Sequence, residues 1–218
     1  MNSESFTPML ITDIARQKRR PRVDIFVDGR LALSLSLTLA SQAGLRPGDD
    51  VTTERLEALR QADERHQAHN AALRLLAYRP RSEAELRVRL ARRGLPPAVV
   101  EEAMEHLRER GLLDDEAFAR YWVEARQQSS PRGSRLLQRE LLTKGIAVDT
   151  AREALATAAE EEAACRAAEK KARSLVNLDY PTFRRRLGQF LLRRGFPYET
   201  ARALVDELWR KSQHADSG

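Results

Sequence analysis

Residues 79–107 read RPRSEAELRVRLARRGLPPAVVEEAMEHL, residues 130–158 read SPRGSRLLQRELLTKGIAVDTAREALATA, and residues 180–208 read YPTFRRRLGQFLLRRGFPYETARALVDEL. Gly94, Gly145 and Gly195 stand 51 and 50 positions apart. The same offsets superpose Pro80 on Pro131 and Pro181, Leu86 on Leu137 and Leu187, and Leu90 on Leu141 and Leu191. They also bring Arg93 onto Lys144 and Arg194. Three copies in one phase indicate a repeat array, an architecture that commonly presents an extended binding surface.

The first copy shows the plan. A helix ends near Tyr78, because the residue before Pro80 is pushed out of the helical region. Ser82 with Glu85 three positions on predicts a capping box, and the helix it opens places Leu86 and Leu90 on one face. Gly94 closes that helix in the left-handed conformation. A third helix follows Pro96-Pro97, turns Val100, Ala103 and Leu107 inward, and ends at Gly111. The joint between repeats one and two, GLLDD, is a clear stop and restart. The joint between two and three, AREALATAAEEEAACRAAEKKARSLV, has no Gly or Pro. It predicts a near-continuous helix or a very tight joint, with a short polar turn as the alternative.

Upstream, Val23, Ile25 and Val27 alternate with other residues, as do Leu31, Leu33, Leu35 and Leu37. Asp28-Gly29 stands between the two runs and signals a tight hairpin. LITDIARQ supplies a third strand. A lone hairpin is marginal in water, so this unit is expected to lean on the first helices. GLRPGDD is a turn, and Thr52 or Thr53 starts a helix that continues, or breaks briefly, into one burying Leu73, Leu75 and Leu76. The expected fold is mainly α: three tandem three-helix repeats in an elongated array, with a small N-terminal β-hairpin or three-stranded unit. The expected boundaries are 1–51 for the strand segment, 52–112 for a linker helix with the first repeat, 113–160 and 161–214 for the second and third repeats, and 215–218 for a disordered tail.

Composition agrees. Of 218 residues, 32% are charged and 6% aromatic, which favours long exposed helices over a sheet sandwich. A net charge of +6 points towards an anionic partner or an ordinary basic protein. The single cysteine, Cys165, excludes an internal disulfide and suggests a reducing compartment. MNSESFTPML does not read as a signal peptide, and LALSLSLTLA is too short to span a bilayer as a helix. A cytoplasmic protein is expected.

No catalytic constellation emerges. His66 and His69 share a helical face but lack further metal ligands in the sequence nearby. Cys165 reads as a packed thiol, and Asp114-Asp115 as helix caps. Phe118 and Trp122 read as core, and Trp209 as packing for the last helix. No cofactor, metal or catalytic residue is expected.

The basic residues admit two readings. Cations before the repeat glycines offset the negative end of a helix, contributing ~0.3–1 kcal/mol each. They equally suit an anionic ligand. Arg89, Arg92 and Arg93 form an i, i+3, i+4 cluster beyond what a cap requires. Arg184, Arg185 and Arg186 read as a first helical turn, where the dipole disfavours cations. RQKRRPR (16–22) touches phosphates or guards an edge strand. The candidate contact residues are Arg79, Arg81, Arg89, Arg92 and Arg93 in the first repeat. The second offers Arg132, Arg135, Arg139 and Lys144, and the third Arg184, Arg185, Arg186, Arg193 and Arg194.

The runs RPRSEAELRVRLARRG, GLLDDEAFARYWVEAR and SSPRGSRLLQRELLTKGI resemble RecX, a family of bacterial regulators of the RecA recombinase. The resemblance runs from about residue 10 to 210, more loosely in the third repeat and the N-terminal segment. It implies a non-enzymatic modulator that lies in the groove of the RecA–DNA filament and suppresses ATP hydrolysis and strand exchange. RecA filaments, and DNA bound weakly and without sequence preference, are the implied partners of a monomeric chain. The alternative is a basic helical-repeat protein that binds DNA by itself.

Overall fold

The computed structural model describes residues 9–215. Ten helices and four strands are found among them. The chain divides into two compact units. One holds the chain up to Arg79 together with Arg87–Glu109, and the other holds Pro80–Leu86 together with the chain from Arg110 onward.

In the first unit, strands β1 (Met9–Arg16), β2 (Arg22–Val27) and β3 (Arg30–Ser36) are followed by helix α1 (Leu37–Ala43) and strand β4 (Asp50–Val51). They form an antiparallel sheet in the order β3-β2-β1-β4. Asp28 and Gly29 both have positive φ, 50° and 75°, as the mirror-image turn matching strand twist requires. Two expectations change here. The sheet has a fourth strand, which arises where the chain pairs Val51 with Met9 on leaving the GLRPGDD turn. The alternating leucines stop being strand after Ser36, whose hydroxyl accepts the Leu39 N–H and opens α1 at Leu37.

Helix α2 (Thr53–Tyr78) is unbroken, capped by Thr52 and stopped before Arg79-Pro80. Its Leu59 joins Ile11, Val23, Ile25, Val27, Leu35 and Val51 in the core under the sheet. A polar anchor adds to this. Asp63, 2% exposed, accepts from the Arg22 guanidinium at 2.7 Å, the Ser36 N–H at 2.8 Å and the Gln67 amide at 2.6 Å. Burial pushes the Asp63 carboxyl up, but these donors outweigh it and hold it below the ordinary value of 3.8. Arg22, from the basic run, is thereby a structural residue. Further along α2 the buried positions are Ala68, Ala71 and Ala72, with Leu73, Leu75 and Leu76 only half-buried. Small side chains there let α4 (Pro97–Glu109) pack close, with Val99 and Ala103 against Ala68.

Between them in sequence runs α3 (Glu83–Ala91), burying Leu86 and Leu90. Its cap is the expected one: Ser82 Oγ accepts the Glu85 N–H at 3.1 Å. Gly94 and Gly111 close α3 and α4 with φ of 77° and 65°.

The second unit holds α5 (Asp115–Ser129), α6 (Ser134–Thr143), α7 (Val148–Ala156), α8 (Glu160–Ala172), α9 (Tyr180–Arg193) and α10 (Tyr198–Ala215). Repeat two packs Phe118, Ala119 and Val123 on Leu137, Leu141, Ile146, Ala151 and Ala154. Repeat three buries the matching Leu187, Leu191, Phe196, Ala201 and Leu204 against an alanine stripe on α8, Ala163, Ala164, Ala167 and Ala168. Trp209 lies over Tyr180 and Phe183, with ring centroids 5.4 and 5.3 Å away. Cys165 points the other way and is exposed, not packed.

The helix breaks between α7 and α8 at residues 157–159, the alternative to a continuous helix. Tertiary contact holds the break. Glu160, the first residue of α8, accepts from the Ser134 N–H at 2.8 Å and from its hydroxyl at 2.7 Å. That carboxylate supplies the cap that Gly133 lacks. Asp115, the first residue of α5, does the same one repeat earlier, accepting the Glu83 N–H at 2.9 Å. Asp114, meanwhile, caps its own helix through the Ala117 N–H.

Helix α9 departs from the pattern. The offset that matches Glu83 with Ser134 predicts a start at Arg184, yet α9 starts at Tyr180, capped by Asp179 and with Pro181 in its first turn. Arg184, Arg185 and Arg186 therefore stand in the second turn, not the first, and the expected dipole penalty largely lapses. Of the expected 215–218 tail, Ala215 ends α10 and the rest lies outside the described residues.

Candidate functional site

The second unit contains a cleft of about 550 Å³ where α5, α6, the loop between them and the start of α3 meet. The spacing of the sequence brings the cations there. Trp122 and Arg126 sit one turn apart on α5, and Arg139 and Lys144 flank the end of α6. Arg132 follows the loop proline, Pro131.

Glu140 organises the cleft from a half-buried position. It accepts from the Trp122 indole N–H at 3.0 Å and the Arg126 Nε at 3.0 Å, and it pairs with Arg132. Lys144 Nζ donates to Glu85 at 2.7 Å and lies 4.0 Å from the Trp122 ring centroid, while the Arg126 guanidinium lies 4.3 Å from it. Arg139 is exposed, and its side chain makes no hydrogen bond or ion pair among the described residues. Four cations, Arg126, Arg132, Arg139 and Lys144, thus face two carboxylates, Glu85 and Glu140. Burial first, then the neighbouring Arg126 and Arg194, pushes Arg132 below the usual arginine value. Such a crowded, surplus-positive cleft favours entry of an anion, and paired guanidiniums suit the two oxygens of a phosphate or carboxylate.

The other expected contact residues divide. Arg89, Arg92, Arg93, Arg135, Arg184, Arg185, Arg186 and Arg193 are exposed. Arg79 is half-buried in the first unit, and Arg81 is buried, 7% exposed. Arg194 serves the fold, donating to Ser130 Oγ at 2.7 Å and the Pro131 carbonyl at 3.1 Å, with its guanidinium 4.9 Å from the Phe190 ring centroid. The cation before the repeat glycine is thus a packing residue in repeats two and three, and an exposed one at Arg93.

Sequence reading missed Trp122 as part of the site, together with Arg126 and Glu140. The one available signal was the i, i+4 pairing of Trp122 with Arg126. In the first unit His66 meets Asn70, and His69 stacks obliquely on His106 with centroids 5.1 Å apart. Among the described residues no group of three or more His, Cys, Asp or Glu is placed to hold a metal ion. Nor is any described helix long and apolar enough to cross a membrane.

Comparison with known proteins agrees with this architecture. Family models described as the first, second and third three-helix domains of RecX match residues 68–107, 114–155 and 159–214. "Regulatory protein RecX" of Geobacillus kaustophilus is 32% identical over 203 residues, covering 89% of this chain and 76% of that protein. The Lacticaseibacillus paracasei protein of the same name is 31% identical, covering 90% and 84%. Among solved structures, a crystal structure of regulatory protein RecX aligns with a TM-score of 0.64 at 26% identity, over 91% of this chain and 99% of that one. RecX from Lactobacillus salivarius aligns with a TM-score of 0.60 at 27% identity, over 67% and 97%. Three domain matches in order and this coverage of the relatives place the chain in the RecX family of regulatory proteins.

Proposed function

We propose that this chain is a non-enzymatic cytoplasmic regulator of homologous recombination. It binds as a monomer in the groove of the RecA–DNA filament and restrains RecA ATP hydrolysis and strand exchange. The surplus-positive cleft around Trp122, in a chain built as RecX proteins are, is the observation that carries the reading. A filament repeats its surface along its length, so a chain of similar helical units gains affinity from several modest contacts. In this reading the cleft takes a DNA phosphate or an acidic group of the filament, and Arg135 and Arg139 extend the contact from the exposed side of α6.

Co-sedimentation with pre-formed RecA–DNA filaments tests it. Wild type is expected to pellet with the filament and to slow its ATP hydrolysis, and Arg135→Glu/Arg139→Glu to do both several-fold less well. Both positions are exposed and neither side chain is hydrogen-bonded or ion-paired among the described residues, so the fold is expected to survive. Full inhibition by the double variant would remove α6 from the contact. Binding to naked DNA that matches filament binding, and falls equally steeply with salt, would favour the stand-alone DNA-binding reading.

A further inference from the structure

Most glycines described here have a conformational or steric reason. Seven have positive φ, and Gly133 sits where a side chain would strike the Gly195 backbone. Gly188 has neither. It lies inside α9, where glycine is a poorer helix former than alanine, and a Cβ built on it meets no atom within 4 Å. Nothing among the described residues accounts for the missing side chain. The open space above Gly188 leaves room for an apolar group brought in from outside.

Gly188 faces a groove of about 200 Å³ between α9 and α10. Leu192, one turn on, is 45% exposed, and Tyr198 is 56% exposed. Arg184, Arg185 and Arg202 line the same groove; all are exposed, and none has an ion pair among the described residues. The one acid there, Asp206, accepts the Tyr180 hydroxyl at 2.9 Å. The groove thus combines a bare, aliphatic floor with three exposed cations that form no ion pair among the described residues.

We propose that the α9–α10 groove binds an acidic protein segment carrying one large apolar side chain. That side chain lies over Gly188 beside Leu192 and Tyr198, and flanking carboxylates meet Arg184, Arg185 and Arg202. A single nucleic-acid strand fits less well, because stacked bases need aromatic platforms and this floor offers one exposed ring among aliphatic groups. The inference goes beyond the RecA–DNA reading, since it concerns a different repeat and is tested without RecA.

The test is fluorescence anisotropy with the full chain. The probes are a labelled 12-residue peptide of Glu and Ser with a central Phe, the same peptide with Ala for Phe, and a 12-nucleotide oligo-dT. The Phe peptide is expected to bind about tenfold more tightly than the Ala peptide. Gly188→Leu, which fills the floor with a good helix former, and Arg184→Gln/Arg185→Gln are each expected to weaken it about tenfold. Arg202→Gln serves as an independent variant at an exposed position. No binding up to millimolar peptide, equal affinity for both peptides, or indifference to Gly188→Leu overturns the proposal. So does tighter oligo-dT binding that Gly188→Leu abolishes, which would make the groove a nucleic-acid site.

Discussion

Ser82 Oγ donates to the Lys144 carbonyl at 2.6 Å, joining the start of α3 to the end of α6 across 62 positions. One repeat later the Gly133 N–H donates to the Arg194 carbonyl at 2.9 Å. In both places the start of one repeat's second helix seats on the carbonyl preceding the next repeat's glycine. Ser82 is fully buried and also caps α3. Ser82→Ala therefore leaves a carbonyl without its donor and a helix without its cap. Urea unfolding is expected to show a loss of about 2 kcal/mol.

Glycines at this seam and away from it carry different burdens. A Cβ at Gly133 would lie 2.2 Å from the Gly195 carbonyl oxygen, whereas one at Gly94 meets nothing within 4 Å. Gly133→Ala is expected to cost about 3 kcal/mol through forced backbone movement. Gly94→Ala is expected to cost only the ~1–2 kcal/mol of left-handed strain. Thermal denaturation of the two variants gives the order, and equal losses would refute the account of the seam.

Acid should loosen the first unit. The Asp63 carboxyl is held below 3.8 in the folded chain, so its stabilisation is present above that value and is lost as pH falls through the folded one. Asp63→Asn is expected to cost roughly 3 kcal/mol at neutral pH by stranding Arg22. It should also flatten the acid limb of the stability profile below about pH 4. Chemical unfolding between about pH 7 and pH 3 measures both.

Gly188→Ala should make the protein more stable, by about 1 kcal/mol, because the new methyl enters open space within a helix. Circular dichroism melting decides this. A loss of stability would mean that Gly188 has an internal packing role.

Trp122 reports on the cleft through its contacts with Lys144 and Arg126. Titration with oligo-dT is expected to change its emission. Arg139→Glu should weaken the response and lower the slope of log affinity against log salt by about one unit. An unchanged slope would place the phosphate elsewhere.

The repeat was legible because its signals are local: Ser82 at a cap, glycines at positive φ, and leucines at Leu86, Leu137 and Leu187 facing inward. The hairpin was legible for the same reason at Asp28-Gly29. The features that escaped reading depend on partners distant in sequence. Asp50–Val51 is a strand only because Met9 and Leu10 pair with it. The α7–α8 break is held by Glu160 reaching Ser134, which no Gly or Pro announces. Of the cleft, Arg132, Arg139 and Lys144 were visible in sequence, but Arg126, and Glu140 gathering it with Trp122 and Arg132, were not. Lys144 and Arg194 looked alike in sequence with Arg93, and only packing separates them.

The early start of α9 limits how this architecture grows. Tyr180 and Pro181 are already wound into helix where the earlier copies keep an extended lead for their successor. A unit placed after α10 could not dock on α9 through the contact that Ser82 and Gly133 make, because that stretch of chain is already committed to its own helix.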